Sequence, residues 1–172
     1  MKKYKLTLRE PMLDRDGFRL NVGMVIANAE NKLLWCRRFG RADAWQFPQG
    51  GVQANETLKE TMYRELKEEI GLTANDVGYL SETKRWLKYY LPEHYRRYHI
   101  KPLCIGQKQK WFLLRFISCE ENIHLNHTKD QEFDTWQWVD YWHPLEQVIS
   151  FKKEVYQKVL EIFEPILFAG NK

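Results

Sequence analysis

Apolar residues come along this chain in short blocks separated by polar turns, and the spacing inside each block differs. Residues 20–28, "LNVGMVIAN", form a β-branched block that reads as a buried strand. "AENK" turns the chain and "LLWCRRF" reads as its hairpin partner. "GRADAW" is a loop, and "QFPQGG" an extended turn with Pro48 and two glycines. "KWFLLRFIS" and the alternating "TWQWVDYW" read as two further strands. "VISFKKEVYQKVLEIF" reads as a closing amphipathic helix with Val155, Val159 and Phe163 on one face, ended by Pro165. Strands with few, separated helices predict an α+β or α/β sandwich built as one domain over residues 1–172. Residues 1–17 stand ahead of this pattern as a leader or an extra strand ending in "DRDG".

The segment "GGVQANETLKETMYRELKEEIGL", residues 50–72, has helical spacing. Thr57 and Glu60 predict a capping box at its start, and Gly71 a stop. On a wheel of about 100° per residue, Leu58, Met62, Leu66 and Ile70 make the apolar stripe. Glu60 and Lys67 fall on the water side. Glu65 and Glu69 fall beside or inside the stripe, and Glu68 on its flank. Three carboxylates aimed at the protein body repel one another and resist burial. Arg64 can neutralise one charge, not three. A hard divalent cation removes both costs, so Mg²⁺ or Mn²⁺ suits the cluster better than Zn²⁺. A salt-bridged charged face is the alternative.

Composition narrows the field. Aromatics make up 15% and hydrophobic residues 44%, which argues against disorder. Three cysteines, Cys36, Cys104 and Cys119, have no metal spacing and suit a reduced cytoplasmic protein. "MKKYKLTLREP" lacks the apolar region of a signal peptide, and no run is long enough to cross a membrane. A net charge of +4 decides little, but its distribution is informative. "KRWLKYYLPEHYRRYHIKP", residues 84–102, interleaves Lys and Arg with Trp and Tyr. That pattern suits single-stranded nucleic acid, or equally a loop whose cations snorkel over the core.

Residues 50–72 resemble the Nudix box, G-x5-E-x7-R-E-U-x-E-E-x-G-U with U apolar. Gly50, Glu56, Arg64, Glu65, Leu66, Glu68, Glu69, Gly71 and Leu72 match with every spacing kept. The resemblance implies an α/β/α sandwich around a mixed sheet, and metal-dependent hydrolysis of a phosphoanhydride bond. It implies Glu65, Glu68 and Glu69 as metal ligands, joined by the Gly50 carbonyl. Arg64 then orients Glu65 and Glu68. "FRLNVGMVI", "WQFPQGG", "KPLCIGQKQKWFLL" and "VISFKKEVY" resemble the bacterial RNA pyrophosphohydrolases, with the diadenosine polyphosphate hydrolases close behind. That resemblance implies removal of pyrophosphate or phosphate from 5′-triphosphate or 5′-diphosphate RNA, leaving a 5′-monophosphate that speeds ribonuclease decay. A dinucleotide hydrolase and a non-catalytic RNA-binding module are the rival readings.

For an RNA substrate, Arg19, Arg38, Lys108 and Lys110 are candidates for phosphate contacts. "QKQK" puts both lysines on one strand face. The resemblance points to Tyr89 for stacking near the first nucleotide. It points to Arg38, Ile149, Phe151 and Lys152 around the second base, with Phe151 equally readable as core. Glu132 resembles a further acidic position of the family outside the box, which implies a metal ligand or a base. The expected partner is 5′-phosphorylated RNA, with no membrane and a monomeric state; a stimulating protein partner is left open.

Overall fold

The computed structural model describes residues 12–169. Among them, eight strands form one mixed sheet. The leader expected over residues 1–17 falls largely outside the described residues; Asp14 to Gly17 form a turn leading into the first strand.

The central pair is β1 (Phe18–Ala27) and β7 (Gly106–Phe116), which run parallel from Phe18↔Gly106 to Ala27↔Arg115. Each then shares its free edge between two strands. On β1 these are β2 (Leu33–Arg38) and β4 (Gln49–Gly51). On β7 they are β5 (Val77–Glu82) and β6 (Leu87–Tyr90). The short β3 (Trp45–Gln46) and β8 (Phe133–Val139) both pair with β2. The sheet therefore splits on both sides of the central pair, with β4 and β6 at one end of it and β2 and β5 at the other.

Alternation along β1 sorts the core into two layers. Val22, Met24 and Ile26 pack with Met62, Leu66 and Ile70 of α1 (Leu58–Ile70). Val25 and Ala27 pack with Trp35, Trp111, Tyr156, Val159 and Phe163 on the other face, under α3 (Lys153–Leu167). This is the expected α/β/α sandwich. A single helical turn, α2 (Pro144–Gln147), precedes α3 and was not foreseen. The short strands β5 and β6 were also unforeseen, because neither carries a clean alternation.

Helix α1 starts as the sequence predicts. Thr57 Oγ1 accepts from the Glu60 backbone N–H at 3.2 Å, and Glu60 Oε2 accepts from the Thr57 N–H at 2.7 Å. Gly71 closes it at φ +74°. Thr57→Ala should lower stability by about 1 kcal/mol, read as a drop in melting temperature, since an orphan N–H loses its acceptor. Helix α3 corrects one expectation. Pro165 lies inside it, and the helix continues to Leu167. Proline removes one main-chain donor, but Phe163 and Leu167 on either side are buried and hold the last turn against the sheet.

Candidate active site

Arg64 organises the carboxylates of α1. Its Nε donates to Glu56 Oε1 at 2.6 Å and its Nη2 to Glu56 Oε2 at 3.0 Å. Nη2 also donates to the Gly51 carbonyl at 2.9 Å. Nη1 reaches Glu65 Oε1 at 2.6 Å and Glu68 Oε2 at 3.2 Å. One guanidinium thus ties the β4 backbone to three glutamates, with the charge-assisted, forked geometry only arginine provides. The Arg64 hydrogen bonds hold the Glu56 carboxyl down at about 2. Glu56 also accepts from Thr61 Oγ1 and the Gln53 N–H, so its acceptors serve structure.

Glu65 and Glu69 lie where the wheel puts them, on the buried side of α1. Burial pushes Glu69 well above the ordinary carboxylate range, and the neighbouring Glu65 and Glu132 charges push it further. Its Oε2 accepts from the Gln49 backbone N–H at 3.0 Å. Burial also raises Glu65, against the pull of Arg64. Glycine at position 50 is required by space: a Cβ there would lie 1.8 Å from the Glu65 carboxyl carbon. Gly50→Ala should therefore displace Glu65 and lower kcat by about 100-fold, with the far-ultraviolet circular dichroism unchanged. Among the described residues, no three acidic, imidazole or thiol groups stand close enough to cage an ion unaided. Glu68, tied to Arg64 and half-exposed, does not line the cleft.

The carboxylates open into a cleft of about 700 Å³, a size usual for small-molecule sites. Glu65 and Glu69 form its floor with Gly50 and Gly51. Glu132 lies on the wall, 3.2 Å from Arg38 Nη2. A bulge in the pairing of β2 with β8 makes Asp134 the extra residue. Asp134 turns to Arg37 Nε and the Gly40 N–H and stays out of the cleft. Arg19 and Arg38 both line it, and the Nε of each is buried without an acceptor among the described residues.

Ile149, Phe151 and Lys152 line the cleft. Lys152 is buried, its Nζ donating to Gln46 Oε1 at 3.1 Å. Burial, aided by Arg38, lowers its pKa to about 8. Phe151 serves both readings, packing against the core while facing the cleft.

Two expectations are corrected. Lys108 and Lys110 do not reach the cleft. Gln107 pairs with Arg19 and Gln109 with Asn21, so the glutamines of "QKQK" take the cleft face and the lysines the opposite one. Lys108 Nζ meets Asp14 at 3.3 Å, and Lys110 Nζ the carbonyls of Thr83 and Lys84 at 2.7 and 2.8 Å. Tyr89 lines the cleft but is only 5% exposed, packed on Phe151 and under Lys152. A ring so covered leaves little surface on which a base can stack.

Residues missed by sequence reasoning include Asn21, Trp45, Gln49 and Gln107 on the strands, and Arg41 on the loop before β3. The parallel register of β1 with β7 marks Gln107 once Arg19 is placed, but no local pattern announces that register.

Comparison with known proteins gives a consistent result. A family model described as the NUDIX domain matches residues 17–161. The RNA pyrophosphohydrolase of Coxiella burnetii is 54% identical over 164 residues, covering 95% of this chain and 72% of that protein. The RNA pyrophosphohydrolase of Histophilus somni strain 2336 is 53% identical over 160 residues, covering 93% and 83%. Among solved structures, the E. coli dihydroneopterin triphosphate pyrophosphohydrolase superposes with a TM-score of 0.65 at 19% identity, covering 83% of this chain and 95% of that one. A C. elegans Ap4A hydrolase complex gives 0.59 at 16%, covering 84% and 98%. At such identities these two structures speak to the fold alone.

Proposed function

The chain belongs to the Nudix family, and on that premise we propose that it is an RNA 5′-end pyrophosphohydrolase. It hydrolyses a phosphoanhydride bond of 5′-triphosphate or 5′-diphosphate RNA and leaves a 5′-monophosphate. The observation that carries this is identity above 50% with RNA pyrophosphohydrolases over more than nine-tenths of the chain. Release of 5′-monophosphate ends in the cytoplasm then feeds ribonuclease decay.

Nudix hydrolases generally need divalent cations, and the residues present fit one. Glu69 is buried at the cleft, and Glu65 and Glu132 line the same cleft and raise its pKa by their charge, which favours a cation among them. Oxygen donors alone favour Mg²⁺ or Mn²⁺. Glu65, Glu69, Glu132 and the Gly50 carbonyl, which line the cleft, are the proposed ligands, and Glu68 would join them by turning away from Arg64. When bound, the cation neutralises phosphate charge and lowers the pKa of water.

The chain's own groups supply the rest. Arg19 and Arg38 each have a buried Nε without an acceptor among the described residues, and a phosphate oxygen satisfies it. Both guanidiniums then stabilise charge that develops on the phosphoryl oxygens and leaving group. Arg64 is a positioning residue that fixes Glu65 and Glu68. Arg64 holds Glu65 at 2.6 Å, whereas Arg38 holds the more exposed Glu132 at 3.2 Å, so Glu132 is the freer carboxylate to take a proton from the attacking water. Ile149, Phe151 and Lys152 form the wall against which the second base lies.

Product analysis tests the reading. A short RNA with a 5′-triphosphate and Mg²⁺ should yield pyrophosphate or phosphate together with 5′-monophosphate RNA. Chelation should stop the reaction and added Mg²⁺ restore it. An RNA whose 5′ end is unchanged by the loaded enzyme would overturn the proposal.

A further inference from the structure

We propose that Tyr95 and Arg97 form a subsite for the third nucleotide, with Tyr95 as the stacking platform that the buried Tyr89 cannot be; this rests on the RNA reading above. The rings form a chain leading outward. Tyr89 lies 5.7 Å from Phe151, Phe151 5.3 Å from Tyr95, and Tyr95 4.5 Å from His94. Tyr89 at the inner end is 5% exposed, whereas Tyr95 is 42% exposed and still lines the cleft. A strand whose second base lies against Phe151 and Lys152 therefore meets Tyr95 next.

The platform is fixed by its backbone. Tyr95 lies in a 3₁₀ turn, its N–H donating to the Pro92 carbonyl at 2.9 Å. Arg96 N–H donates to the Glu93 carbonyl, and Arg96 Nε to the Leu91 carbonyl at 2.9 Å. Leu91 is in turn held by Ile105 next to β7. Arg96 is thus a structural strut. Arg97 lines the cleft, is exposed, and has no ion-pair partner among the described residues. An exposed ring beside an unpaired guanidinium suits a base and its phosphate. A ring that stacks without reading base edges gives length dependence with little sequence preference.

The test compares 5′-triphosphorylated di- and trinucleotides, and a trinucleotide whose third residue is abasic. The enzymes are wild type, Tyr95→Ala, Tyr95→Phe and Arg97→Ala. Wild type should show a KM about 10-fold lower for the trinucleotide than for the dinucleotide, with kcat unchanged. Tyr95→Ala and the abasic substrate should each remove that gain, and together do no more than either alone. Tyr95→Phe should keep it. Arg97→Ala should raise the trinucleotide KM and flatten its salt dependence. Tyr95→Phe, which keeps the ring against Phe151, should give a KM ratio between dinucleotide and trinucleotide equal to that of wild type, while Tyr95→Ala brings the ratio near one. Equal KM values for wild type and Tyr95→Ala on the trinucleotide would overturn the subsite while leaving RNA hydrolysis standing. No release from any RNA by wild type would overturn both.

Discussion

Glu69→Gln is expected to reduce phosphate release by about 1,000-fold while leaving the fold intact. The amide keeps the shape and still accepts the Gln49 N–H, but it removes one negative charge from the floor of the cleft. Stability should move the other way. Burial raises the Glu69 pKa in the folded protein, so its contribution is favourable in acid and is lost as pH rises through the folded value. Metal-free Glu69→Gln should therefore match wild type at low pH and exceed it at neutral pH, by roughly 1 kcal/mol. Mg²⁺ should raise the melting temperature of wild type through mass action and do so far less for the variant. A variant that is less stable, yet active, would make Glu69 a structural acceptor only.

Arg64→Ala should be the most damaging change to stability. It leaves the Glu56, Glu65 and Glu68 carboxylates and the Gly51 carbonyl without their shared donor. Removing one side of a largely buried ion pair costs about 3 kcal/mol. Lysine should rescue little, because one ammonium cannot reproduce the fork. Glu56 fixes the pH dependence. Arg64 depresses its folded pKa to about 2, so the stabilisation is complete above the ordinary carboxylate range and is lost as pH falls toward about 2. The gap between wild type and variant, measured by denaturant titration, should be wide at neutral pH and narrow in acid. A constant gap would assign the loss to packing of the arginine stem. Surviving Arg64→Ala protein should also turn over about 10- to 100-fold more slowly, since Glu65 loses the partner that orients it.

What the sequence reveals divides along one physical line. Contacts within a helix follow from its period, so the cap at Thr57, the stop at Gly71 and the inward Glu65 and Glu69 are readable residue by residue. Arg64 and its glutamates lie within one helix and the turn before it, and are readable for the same reason. Contacts across the sheet depend on register. "QKQK" shows that its lysines share a face, but only the pairing of Gln107 with Arg19 shows which face that is. The same holds for the tyrosines of the 84–102 segment. Tyr89 and Tyr95 look alike in sequence, and the turn at Glu93–Tyr95 alone exposes one while β6 buries the other. Pro165 is a third case, where burial of Phe163 and Leu167 overrides a local helix breaker.

The most direct test of the central claim is a competition at equal concentration between a short 5′-triphosphorylated RNA and diadenosine tetraphosphate, with Mg²⁺ and with Glu69→Gln as the blank. The account predicts that the RNA is consumed first, giving 5′-monophosphate ends, and that the variant consumes neither. Preferential cleavage of the dinucleotide would contradict it, leaving Nudix chemistry in the cleft but no RNA 5′ end as its substrate.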